Sequence, residues 1–199
     1  MLPKIASYVS NLEANVEASR RSILSDISSH IQENASPLLL FICTHNSRRS
    51  HFAHIWAQVF ATEYNVNISL FSGGTEVTSC HPNSINALER AGFIIQSDLE
   101  ANPKYRIRFS KEHPPVVVYS KRYDAPENPR AGFAAIMTCS EADAACPIVN
   151  GATVRIPLTF NDPKISDDTN QQDEVYDATC REIANEMHYL FKRLHEPAS

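Results

Sequence analysis

Cys43 and Arg49 stand six residues apart, and Ser50 follows the arginine. A thiol, a guanidinium and a hydroxyl at that spacing can attack, grip and stabilise a tetrahedral oxyanion. A neutral thiol is a poor nucleophile toward an anion, so the sulfur must ionise near neutral pH and the incoming charge must be offset. A helix N-terminus lowers a thiol pKa from about 8.5 by one to several units. A guanidinium holds two oxygens of an oxyanion at once. Ser50 can donate to the sulfur, and Asn46 can brace the loop. Thr44, His45, Asn46, Ser47, Arg48 and Arg49 together form the candidate oxyanion loop. The spacing alone also fits an inert cysteine near a surface arginine pair. The elements around it tell against that.

The apolar run at 38–43, LLLFIC, predicts a buried strand ending at Cys43. HFAHIWAQVFA after the loop predicts a helix from Ser50 to about Thr62. A second strand, VNISLFSGG, is expected from Asn65, with Gly73 and Gly74 stopping it. A helix from Pro82 to Ala91 is closed by Gly92, and FIIQSD reads as a short strand or a loop lead-in. GFAAIMT at 132–138 is another buried strand that delivers Cys139. The loop SEADAA then leads to Cys146. A strand at about 153–157 precedes Asp162 and Pro163, and the acidic stretch from Asp167 to Asp173 leads into a closing helix at 174–194. On that helix Val175, Ile183, Met187, Leu190 and Leu194 are candidates for the buried face. The last residues, 195–199, read as frayed.

Strand–helix alternation argues for an α/β fold with a mainly parallel sheet flanked by helices. Two segments stand outside that rhythm. Residues 1–36 read as an N-terminal helical extension, one bent helix or two, packed on the domain or on a second copy of the chain. That leaves a homodimer open. Residues 37–199 form the main domain, with an insertion at about 103–132 that holds a hairpin at about 105–109 and 116–120. The insertion carries Lys104, Arg106, Arg108, Lys111, Lys121 and Arg122 among aromatics. A solvated hairpin face or a dimer contact suits these better than RNA, because the chain's net charge is −5.

The bulk numbers set further bounds. The 199 residues are 43% hydrophobic and 21% charged, the balance of an ordinary globular chain. The acidic balance gives no case for nucleic acid as a partner. No apolar stretch reaches membrane-spanning length. The five cysteines, without an export signal, read as reduced thiols of a cytoplasmic protein. The spacing of Cys139 and Cys146 does not fit short zinc-ligand pairs, and no metal is expected. His51, His54 and His81 are expected near the pocket rim with unconvincing ligand spacing. His188 reads as structural.

FICTHNSRRS at 41–50 resembles the phosphate-binding loop of the low-molecular-weight protein tyrosine phosphatase superfamily. With FSGG at 71–74, TCSEADAACP at 138–147 and NDP at 161–163, the likeness is closer to the thioredoxin-coupled arsenate reductases. It spans about 37–195. The resemblance implies a four-stranded sheet, Cys43 as nucleophile, Arg49 and the loop as the anion site, Ser50 as thiolate support and Asp162 as general acid. It implies that Cys139 attacks Cys43 to release arsenite, and that Cys146 then takes the disulfide. It implies no bound cofactor, with thioredoxin or a similar thiol as external reductant and partner. The alternative is a phosphatase that hydrolyses phosphomonoesters through a cysteinyl-phosphate. A third reading is a catalytically weak domain that binds an oxyanion.

Four departures are visible. His45 stands where the family usually has glycine, so a left-handed backbone there would be strained. Arg48 replaces a frequent cysteine. His54 stands where related reductases place an acid that helps bind potassium, so that ion is not expected. Lys164 follows Asp162 and Pro163 where the phosphatases usually place an aromatic. Cys80 and Cys180 have no role by resemblance.

Overall fold

The structure is a computed structural model that describes residues 1–13, 16–146 and 148–195. Fraying was expected over 195–199; His195 instead closes the last helix, and 196–199 lie outside the described residues. Helices α1 (Pro3–Ser10) and α2 (Ala18–Glu33) precede strand β1 (Leu38–Cys43) and helix α3 (Arg49–Glu63). Strand β2 (Ser69–Gly74), helix α4 (Pro82–Ala91) and strands β3 (Ile94–Ser97), β4 (Tyr105–Arg108) and β5 (Val116–Val118) follow. Strand β6 (Phe133–Met137), helix α5 (Ser140–Ala145), strand β7 (Ala152–Pro157), a 3-10 turn (Pro163–Ser166) and helix α6 (Gln172–His195) complete the chain.

The main sheet runs in the order β2-β1-β6-β7, all parallel. Parallel strands buried on both faces need unbroken apolar runs, and β1 and β6 supply them. One face packs on α3 and α6 in a core around Trp56, Phe60, Tyr176, Met187 and Phe191. The other face carries Leu40, Ile42, Phe133 and Met137, with Cys43, Cys139 and Ala142 at its edge.

The insertion forms a second, antiparallel sheet, β3-β4-β5. The expected hairpin is present, and the FIIQSD segment joins it as a third strand. The N-terminal segment is two helices whose Ile5, Leu24, Ile27 and Ile31 belong to the same core as α3 and α6. The Leu2 amide also donates to the Phe109 carbonyl at 2.7 Å.

Four expectations are corrected. The second strand begins at Ser69, because Asn65 takes a left-handed turn at φ 53°. Gly73 and Gly74 lie inside that strand rather than stopping it. A Cβ on Gly73 would run into the Tyr123 Cα, and one on Gly74 would meet the Asn46 amide nitrogen at 2.7 Å. These glycines admit other backbone. The SEADAA segment is helical, because the Cys139 sulfur accepts the Ala142 N–H and Glu141 and Asp143 sit in the first turn. On α6, Val175 and Leu194 are only half-buried, and the closed face adds Tyr176, Cys180 and Glu186.

Candidate active site

Both β1 and β6 end at one edge of the sheet, and the two segments that follow carry the thiols. Cys43 closes β1, and its sulfur lies 3.0 Å from the Ser50 hydroxyl. The Lys121 N–H donates to Asn46 Oδ1 at 3.1 Å, so the other end of the amide is its NH2. That NH2 donates to Ser50 Oγ at 2.9 Å. The Ser50 proton is then free for the sulfur, and the thiolate is the form it stabilises.

The loop between them is held from outside. Its carbonyls accept from Thr75 N (Cys43), Glu76 N (Thr44), Ser120 Oγ (His45) and His81 N (Ser47), at 2.7–3.2 Å. In a planar trans peptide the N–H points opposite the carbonyl. Carbonyls drawn outward turn N–H groups inward, which makes an anion-binding concavity. The left-handed residue of the loop is Asn46, at φ 45°, not His45. Asparagine tolerates that region, so the strain expected at His45 does not arise. His45 instead faces Glu76, 3.3 Å away.

A cavity of about 260 Å³ opens over the loop, lined by Cys43, Thr44, His45, Ser47, Arg48, Arg49, Glu141, Asp162 and Lys164. Arg49 is buried. It donates to the Phe160 carbonyl at 2.9 Å and pairs with Asp162 at 2.5 Å, with Glu141 3.7 Å away. Its Nε has no partner among the described residues. An oxyanion in the cavity would take up this group and compete with Asp162 for the guanidinium.

The expected residues do not all face the cavity. Asn46 is fully buried behind the loop and acts on Ser50. Arg48 reaches the rim, but its guanidinium donates to the Tyr176 hydroxyl at 2.6 Å and to Asp167 at 2.9 Å. Cys139 is fully buried, with its sulfur 3.5 Å from Thr44 Oγ1. Burial raises its thiol pKa, against the opposing effects of Thr44 and the Ala142 N–H. Cys146 sits at the far end of α5, half-buried, its sulfur 3.4 Å from the Ile148 carbonyl. All five cysteines are free thiols.

The histidines depart from expectation. His51 and His54 are buried beneath the loop and share Ser72 Oγ at 3.4 Å each. Burial, with Lys121 nearby, lowers both, His54 to about 3. His81 caps α4 and contacts Tyr176. Cys80 and Cys180 are buried, the latter accepting from the Trp56 indole.

This is the low-molecular-weight protein tyrosine phosphatase fold. A low-molecular-weight phosphotyrosine phosphatase from Vibrio cholerae matches with a TM-score of 0.54 at 16% identity, over 79% of this chain and 95% of that one. A low-molecular-weight protein tyrosine phosphatase from T. tengcongensis matches with a TM-score of 0.53 at 14% identity, over 79% and 99%. In sequence, the chain is 29% identical to an arsenate reductase of Bacillus cereus over 126 residues, 63% of this chain and 75% of that protein. An arsenate reductase of Brevibacillus brevis is 27% identical with the same coverage. No protein-family model matches the chain. Among the described residues, no helix is long and apolar enough to cross a membrane.

Two supports of the loop were not foreseen as such: Ser120, which had no role, and Lys121, which counted only among the basic residues of the insertion. They hold the loop from 75 residues away. Asp167 passed as a helix lead-in, although it anchors Arg48. Glu141 lies within TCSEADAACP with no role by resemblance, and it faces the cavity.

Proposed function

We propose that this chain reduces arsenate to arsenite through a thiol relay. The observation that carries it is the placement of Cys139 just past the end of β6, the strand beside β1, with its sulfur against the anion loop. The sequence relatives named arsenate reductase support the same reading.

The loop N–H groups and Arg49 hold the arsenate. The Cys43 thiolate attacks arsenic while Asp162 protonates the departing oxygen, leaving a sulfur–arsenic bond. The Cys139 thiolate then attacks Cys43 Sγ. A sulfur–sulfur bond forms, the sulfur–arsenic pair stays on arsenic, and arsenic(V) leaves as arsenite. Cys146 attacks Cys139 and frees Cys43. An external dithiol of the thioredoxin class reduces the Cys139–Cys146 disulfide.

Closing that last disulfide requires a change of shape. Seven helical steps at 1.5 Å separate the two residues by roughly 10 Å along α5. A disulfide needs Cα atoms within about 7 Å. Helix α5 must therefore unwind.

A phosphatase needs only Cys43, Arg49, Ser50 and Asp162, and the fold favours that second reading. Lys164 lines the cavity in place of an aromatic ring, which suits a small anion better than an aryl ester. The readings separate in one turnover. A Cys146→Ser protein should release about one equivalent of arsenite and stop with Cys43 joined to Cys139. If that variant turns over normally with thioredoxin, the relay is wrong.

A further inference from the structure

Asp162 lies on the segment after β7, and its placement depends on Phe160. The Phe160 amide donates to the Thr138 carbonyl at 3.2 Å, next to Cys139, and its carbonyl accepts from Arg49. A third anchor comes from the N-terminal helix α2. Arg20 donates to the Thr159 carbonyl at 2.8 Å, and its guanidinium lies 4.8 Å from the centre of the Phe160 ring. The same guanidinium grips Glu186 of α6 through two bonds of 2.7 Å. Glu186 is only 5% exposed. A bidentate, part-buried pair fixes a planar group more tightly than a single surface contact does. The face of Arg20 that stacks on Phe160 is thereby aimed.

We propose that Arg20 is a positioning residue: it carries the rigidity of the α2–α6 contact to Asp162. Nothing in the oxyanion motif requires this group, because it comes from a segment outside the resemblance. The inference rests on the role given above to Asp162, which the reductase and phosphatase readings share. A general acid acts only within hydrogen-bond reach of the leaving oxygen, so a small displacement of residues 159–162 is felt in the rate. Arg20 itself touches no reacting atom.

The test is a double-mutant cycle of Arg20→Met and Asp162→Asn. It is read in whichever reaction the wild-type chain carries out, single-turnover arsenite release or aryl phosphate hydrolysis. Arg20→Met should slow that reaction on the order of tenfold, and should cause no further loss in the Asp162→Asn background. Arg20→Met also leaves Glu186 buried without its partner, so its melting temperature should fall. An Arg20→Met/Glu186→Met protein separates the two effects: the melting temperature should recover and the rate should not. Rate and stability recovering together would show a merely structural pair and overturn the proposal, as would losses that multiply across the cycle. An Asp162→Asn protein as fast as wild type would overturn it too, and would place the fault in the role of Asp162 instead.

Discussion

At the scale of single residues, the surroundings of the Cys43 thiol reach beyond the loop. Asn46 transmits a backbone N–H of Lys121 to Ser50, and Ser50 passes it to Cys43. The Lys121 ammonium lies beneath the loop, 4.7 Å from the Tyr119 ring centre. Burial lowers its pKa from 10.5 to about 8, against the opposing pull of Glu127. Between those values the unfolded chain holds the proton more tightly, so this group makes stability rise with pH through that window. Below pH 8 the full cost of burying the charge is present. Lys121→Met should therefore gain on the order of 2 kcal/mol relative to wild type at pH 7, an advantage that shrinks as pH approaches 10.5. Urea midpoints at pH 7 and pH 10 measure it, and a constant difference would refute the assignment. The residues legible in the sequence were those whose chemistry is local: Cys43, Arg49 and Ser50 within eight positions. Ser120 and the Lys121 amide were illegible as supports of the loop because a hydrogen bond across 75 residues leaves no mark on spacing. The left-handed turn foreseen at His45 falls one residue on, at Asn46, which adopts it without that strain.

At the scale of elements, strand β1 and helices α3 and α4 announced themselves through apolar runs, proline and glycine, and their bounds agree within a residue or so. The glycines of β2 misled because glycine stops a strand in one setting and admits a neighbouring backbone in another. Helix α5 was hidden because six residues give too little periodicity to tell helix from loop. Its capping by a cysteine sulfur is not a pattern a sequence advertises. In the proposed relay α5 must open, and its exposed Ala144 offers a way to measure the cost. Ala144→Gly removes about 1 kcal/mol of helix preference. Transfer of the disulfide from Cys43–Cys139 to Cys139–Cys146 should then speed up by roughly fivefold where opening limits the rate. A stopped-flow trace that is unchanged would mean that α5 is already open in the Cys43–Cys139 form or need not open at all.

At the scale of the whole molecule, the α/β class and the extra helices were legible, but the sharing of one core was not. Hydrophobic spacing gives a helix its buried face without saying what covers it. Ile27 is fully buried in the core that also holds α3 and α6. Ile27→Ala should cost about 2–5 kcal/mol of global stability. The chain's single tryptophan, Trp56, stacks on Tyr8 of α1 at 5.3 Å and thus reports how the N-terminal helices are seated. In the Ile27→Ala protein its fluorescence and the far-ultraviolet circular dichroism should change together in urea. A fluorescence transition that comes first would show that the N-terminal segment detaches alone.

The short helix between Cys139 and Cys146 also has an electrochemical meaning. If forming that disulfide unwinds α5, reducing it lets the helix return, and the helix's stability adds to the driving force for reduction. For a two-electron couple, about 1.4 kcal/mol corresponds to roughly 30 mV. A weaker α5 gives a more negative potential and a disulfide harder to reduce. In the proposed relay, the six residues between the thiols would thereby set which reductants are strong enough to reset them.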